Sequence, residues 1–177
     1  MSRFFQRLLG AARLDAQTYE DVEADVGATG QAVIVVVLSS IAAAIGLGHV
    51  ASIDLPLFVT HLTGAFVGWV VWATLVYLIG VHLLPTPETR ATVGEVLRTT
   101  GFAATPGVLR VFGGVPVVGV PIWFLTTAWM LIAMFVAVRQ ALDYRQFSRA
   151  LAVCLVGWLL SLVFVAIIGF AFAPPVW

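Results

Sequence analysis

The sequence predicts an all-α polytopic membrane protein, with five transmembrane helices preceded by an interfacial amphipathic helix. Three observations carry that prediction. The 177 residues are 61% hydrophobic and only 10% charged, against roughly 25% charged in a typical soluble domain. Charge-free tracts run from Gln31 to Val50, from Leu55 to Leu84 and from Ala150 to the C-terminus, each at or above the ~20 residues a helix needs to cross the hydrocarbon core. A further tract, Gly101 to Val138, has 38 residues and Arg110 as its only charge. As one helix it would be about 57 Å long, nearly twice the ~30 Å core, so it must cross twice.

Residues 2 to 14, SRFFQRLLGAARL, place Phe4, Phe5, Leu8, Leu9 and Ala12 on one helical face and Arg3, Gln6, Gly10 and Arg13 on the other. This is the pattern of a helix lying in the membrane surface, with Arg3, Arg7 and Arg13 among the headgroups. Asp15, Glu20, Asp21, Glu23 and Asp25 follow within eleven residues and read as a solvated acidic linker, with a docking patch for a basic partner as the alternative. Residues 1 to 27 form this cytoplasmic unit and 28 to 177 the helical domain. Its spans are expected near 29–50, 58–84, 99–113, 120–138 and 150–173. The turn between the third and fourth belongs at GGVPVVGVP, where Gly113, Gly114, Pro116, Gly119 and Pro121 end helices. The first apolar run begins too far from the initiator methionine for a cleaved signal.

Orientation follows from arginine, since all nine basic residues are arginines. With five crossings, Arg3, Arg7, Arg13, Arg90, Arg98, Arg139, Arg145 and Arg149 share one side, and Arg110 alone lies near the other. Excess arginine in short loops marks the cytoplasmic side. The N-terminus is therefore expected in the cytoplasm and the C-terminus outside, in a multi-pass protein of the cell membrane. Net charge is zero, which argues against a nucleic-acid partner. Cys154 is the only cysteine, so no internal disulfide forms.

Few residues suggest chemistry. Arg110, near the outer end of a short third span, reads as a snorkelling side chain or as an anion or lipid-phosphate site facing the bundle interior. Gly64 and Gly68 have the small-xxx-small spacing that lets helix backbones approach, within this bundle or in a dimer. Trp69, Trp72, Trp123, Trp129 and Trp158 read as packing or lipid contacts, and Trp177 as an interface anchor. His49, Asp54 and His61 are the only set resembling metal ligands, and they fall short of a complete coordination shell. His82 belongs to the other face. No nucleophile elbow, phosphate loop or intramembrane carboxylate pair is present, so no enzyme and no cofactor is expected.

GFAATPGVL opening the third span, LRTTGFAATPGVLRVFGGVPVVG around it, and AVRQALDYRQFSRALAV before the last span resemble the Ypt-interacting protein (Yip) domain, in its prokaryotic branch. Gly101, Phe102 and Pro106 match the family's Gly-Tyr-x-x-x-Pro element, with Phe in place of Tyr. The resemblance implies five spans and a non-enzymatic role in binding partner proteins or organising membrane. Eukaryotic members associate with small GTPases and with one another. Their Asp-Leu-Tyr-Gly-Pro element is replaced here by TYEDVEAD, so the GTPase partnership is not carried over. Membrane lipid, other membrane proteins or further copies of this chain remain as expected partners. Two other readings stand beside it: a small carrier or lipid-handling protein using the kinked third span and Arg110, and an accessory subunit of a larger membrane complex.

Overall fold

The computed structural model describes residues 2–48 and 55–171, with side chains as far as Val163 in the last helix. His49, Asp54 and Trp177 lie outside the described residues. Among the described residues seven α-helices follow in order: α1 Arg3–Ala12, α2 Ala16–Ala24, α3 Ala28–Gly46, α4 Leu55–Leu78, α5 Val93–Ala103, α6 Gly119–Ala141 and α7 Phe147–Ala171. A π-helical turn, Ile79–Leu83, extends α4, and a 3-10 segment, Thr105–Gly114, extends α5. No strand occurs among the described residues. Helices over Ala28–Gly46, Leu55–Leu83 and Gly119–Ala141 are long and apolar enough to cross a membrane, and the apolar stretch Phe147–Val163 is shorter.

Local chemistry explains the helix starts. Ser2 Oγ accepts from the Phe5 amide at 3.4 Å and Asp15 Oδ2 from the Thr18 amide at 3.2 Å. At α5, Thr92 and Glu95 form a reciprocal capping box: the Thr92 amide donates to Glu95 Oε2 at 2.7 Å, and the Glu95 amide to Thr92 Oγ1 at 3.3 Å. The corner after the 3-10 segment was expected to draw on glycine freedom. Instead Val117 takes the left-handed conformation there, at φ 71° and 93% exposed. Gly113 and Gly119 serve close approach: a Cβ on Gly119 would overlap the Gly113 carbonyl oxygen.

Contacts fix the direction of each segment. Ala32 meets Gly101, Ser39 meets Gly107, and Gly46 meets the Arg110–Gly113 backbone. α3 and the α5–3-10 run are therefore parallel. Small residues repeat every seven on α3 and every six along its partner. Seven α-helical residues rise about 10.5 Å and six 3-10 residues about 12 Å, so the two ladders stay nearly in step. α6 returns antiparallel: Trp123 lies at Gly113 and Met130 at Gly107. Tyr144, beyond α6, donates its hydroxyl to the carbonyls of Gly80 at 3.0 Å and Leu84 at 2.7 Å. Arg149 Nη1 reaches the Pro85 carbonyl at 2.9 Å. The 84–92 connection and the start of α7 thus share one end of the bundle with α2.

The acidic segment differs from expectation. It is not a solvated linker but helix α2, with Tyr19 and Val22 fully buried in the core. Two apolar residues three apart supply the inward face, and the acids lie around them. Arg98, 6% exposed, donates through Nε to the carbonyls of Val22 at 3.1 Å and Glu23 at 3.2 Å. A cation is thereby placed on the last carbonyls of α2, where the helix dipole is negative.

Candidate functional site

The matched element lies where α5 ends. A Cβ on Gly101 would sit 2.8 Å from the Ala32 Cβ and 3.1 Å from Trp69 Cζ2, so glycine permits α3, α4 and α5 to converge. Trp69 Nε1 donates to Thr100 Oγ1 at 3.1 Å in the same place. Phe102 is the aromatic of the element. It is fully buried, because α1 folds over it and Phe4 meets its ring edge-on at 6.3 Å. Pro106 has no amide to donate to the Phe102 carbonyl, and the Thr105 hydroxyl supplies that bond instead at 2.6 Å. The expected kink is a change of winding: α-helix to Ala103, 3-10 from Thr105.

Arg110 is half-buried on the 3-10 segment. Its Nη2 donates to Thr127 Oγ1 at 2.9 Å and its Nε to Thr126 Oγ1 at 3.5 Å, while Cζ stands 4.6 Å from the centre of the Trp123 ring. Thr126 is seven residues into α6, about 10 Å from its start. Trp123 lies at Gly113 and Met130 at Gly107, so the side chain runs across to α6 at its own level, over the Trp123 ring. All ion pairs among the described residues join Arg3 and Arg7 to Asp21 and Asp25. Arg110 has none. It lines a cavity of about 330 Å³ together with Ser39 and Ser40 of α3, Trp69 and Trp72 of α4, Met130 of α6 and Trp158 of α7.

Other expected residues fall elsewhere. His61 lines the same cavity, and no group of three metal-ligating side chains occurs among the described residues. Gly64 and Gly68 were expected first to pack within the bundle. They do not: nothing lies within 4 Å of a Cβ on either, and both are exposed. On α1, Arg3, Phe5 and Arg13 are exposed, and Leu9 is half-buried. Phe4 and Leu8 pack on the core. Arg7 is only 3% exposed, with Asp21, Asp25 and Gln31 around it. The heptad-like placement of Arg7 beside Phe4 and Leu8 was the available signal for an inward arginine.

The shared end carries a second arrangement. Glu20, Glu23, Glu95 and Asp143 surround a recess of about 210 Å³, and Gln140 Nε2 donates to Glu20 Oε1 at 2.5 Å. Burial, then the charges of Asp143, Glu95 and Glu20, push the Glu23 carboxyl up to about 7, against the opposing Arg98. A raised acid binds its proton more tightly folded than unfolded, so stability falls as pH rises from about 4.5 through about 7. Glu23→Gln is expected to flatten that slope and to stabilise the protein at pH 8, read by thermal unfolding in detergent across the range. An unchanged slope would remove Glu23 as its source.

Residues 15–168 match the family model of the Yip1 domain. The chain belongs to the Yip1 family. No curated protein and no solved structure matches it. Yip1 membership, with the apolar helices, makes this a membrane protein of a non-enzymatic family. The family match begins at Asp15, the N-cap of α2, and includes Gly101, Phe102, Pro106, Arg110 and both arrangements just described. Within this Yip1 domain the sequence pointed to Arg110 and the element before it. It did not point to Thr126, Thr127 and Trp123, which hold the guanidinium and carry no spacing signal relative to it.

Proposed function

We propose that this Yip1-family protein crosses the cell membrane five times and works without catalysis, presenting its amino-terminal helices and short connections as a partner-binding face in the cytoplasm. One observation carries the reading. A single end of the bundle gathers α2, the 84–92 connection and the turn after α6, tied by Arg98, Gln140, Tyr144 and Arg149. Arg7, Arg98, Arg139, Arg145 and Arg149 belong to segments at or beside that end, which supports a cytoplasmic assignment. The third crossing gains length from its winding. Residues 99–104 as α-helix and 105–114 as 3-10 cover about 29 Å, close to the ~30 Å core.

The face has relief for recognition: Glu88, Arg139, Asp143 and Arg145 line a recess of about 460 Å³. Mixed charges in a shaped recess give specificity toward a complementary protein surface. Two measurements test this. A thiol placed at exposed Val117 should react with an impermeant maleimide in intact cells, and one at Glu88 only after permeabilisation; the reverse pattern would overturn the orientation. Cross-linked native membranes should then lose most partners in a Glu88→Arg, Arg145→Glu double variant, and an unchanged partner list would overturn the binding face. The cavity beside Arg110 favours a second, lipid-handling reading.

A further inference from the structure

We propose that the cavity beside Arg110 binds the phosphate of an anionic phospholipid drawn from the bilayer. The first ground is an incomplete cation. A guanidinium has five N–H donors. Arg110 uses one on each of Thr126 and Thr127, and its remaining donors meet no acceptor among the described residues. A half-buried cation in an apolar bundle is costly unless a counter-charge or a polar site meets it. Asp21 and Asp25, the carboxylates paired with arginine, belong to α2 and its end, outside this cavity.

The second ground is independent of Arg110. Ser39 lines the same cavity, is 6% exposed, lies against Gly107, and its hydroxyl has no hydrogen-bond partner among the described residues. A buried donor left unpaired costs stability, and a ligand oxygen or a water bound with it would satisfy it. Thr127, exposed and holding the guanidinium, adds a hydroxyl beside it. Its oxygen accepts from Arg110, which leaves its proton for a phosphate oxygen. A planar guanidinium with hydroxyl donors beside it recognises phosphate.

The shape selects a lipid over a free ion. The cavity's volume of about 330 Å³ is near the lower limit of ligand sites, enough for a headgroup and glycerol with the chains left outside. Gly68 on its wall is exposed with open space beyond, so the α4 side offers entry from the bilayer. Val36, Ala43, Ala65, Met130 and Met134 make the rest of the wall apolar, which suits a lipid's glycerol backbone.

The test uses the full-length protein in mixed micelles, with tryptophan fluorescence quenched by brominated phosphatidylglycerol or brominated phosphatidylcholine. Stronger quenching by phosphatidylglycerol is expected, and Arg110→Gln should weaken that lipid's binding about tenfold. Arg90→Gln, exposed at the opposite end, should leave it unchanged. Thr127→Val alters an exposed hydroxyl and keeps the fold, and should weaken binding about threefold. Equal quenching by the two lipids, or a preference that survives both site variants, would overturn the proposal. Displacement of the brominated lipid by millimolar inorganic phosphate at constant ionic strength would also overturn it, assigning the site to a free anion.

Discussion

Gly46→Ala is expected to force α3 away from the 3-10 segment and to cost about 3 kcal/mol or more of stability, at the upper end of overpacking effects. A Cβ at this position would overlap the Arg110 carbonyl oxygen and lie 3.1 Å from the Arg110 carbonyl carbon and 3.3 Å from the Gly113 Cα. These are backbone atoms, so no rotamer change relieves the clash. Either α3 or the whole 3-10 segment must move, and the Ala32–Gly101 and Ser39–Gly107 contacts lie on the same two ladders. Gly64→Ala and Gly68→Ala are the controls. Each meets open space on an exposed helix face, so each should change stability by no more than about 1 kcal/mol, in the stabilising direction set by helix propensity. Urea unfolding in mixed micelles separates the cases. If Gly46→Ala proves as stable as Gly68→Ala, the close approach of α3 to the 3-10 segment is wrong. Because the overlapping oxygen belongs to Arg110, the same variant should also weaken the lipid preference proposed for that residue.

The apolar helices were legible because burial in lipid or in a bundle demands long runs without charge, and α3, α4, α6 and α7 follow those runs within a few residues. The winding of the third segment was not. Pro106 announced a break, but whether the chain bends there or tightens into a 3-10 helix depends on Ser39 and Gly46 across the interface, far away in sequence. α2 was missed for a related reason. Its nine residues contain few apolar side chains, and the core that buries Tyr19 and Val22 is supplied by α5 and α6, distant in sequence. On α1, Phe4 and Leu8 of the expected apolar face pack on the protein core, while Phe5 of the same face is exposed. An apolar stripe on a short helix is the same whether it meets lipid or protein. Arg7 therefore looked like a headgroup ligand while Asp21 and Asp25 were read as solvated.

Arg7→Ala is expected to loosen α1 and α2 from the bundle and to cost about 2–3 kcal/mol. Removing one member of a buried ion pair costs roughly 3–5 kcal/mol, discounted here because the Asp21 and Asp25 side chains remain 42% and 32% exposed and regain water. The guanidinium joins three elements at once. Nε meets Asp21 at 2.8 Å on α2, Nη2 meets Asp25 at 2.7 Å just beyond it, and Nη1 meets Gln31 at 3.1 Å on α3. Arg7→Lys should recover less than half the loss, since a single ammonium cannot serve all three acceptors. Arg3→Ala should cost at most about 1 kcal/mol, because that pair is a surface one with Arg3 65% exposed. The pH dependence gives a second reading. Hydrogen bonds from Arg7 hold both carboxyls below their ordinary range. Their contribution is therefore present above that range and lost as pH falls through the lowered values. Arg7→Ala should erase much of this acid-side loss and leave the Glu23 slope in place, since the charges acting on Glu23 are Asp143, Glu95, Arg98 and Glu20. Thermal unfolding and protease cleavage between residues 12 and 28, compared across these variants, test the whole pattern; an Arg7→Ala protein that melts with wild type would show that α1 is not held by this pair.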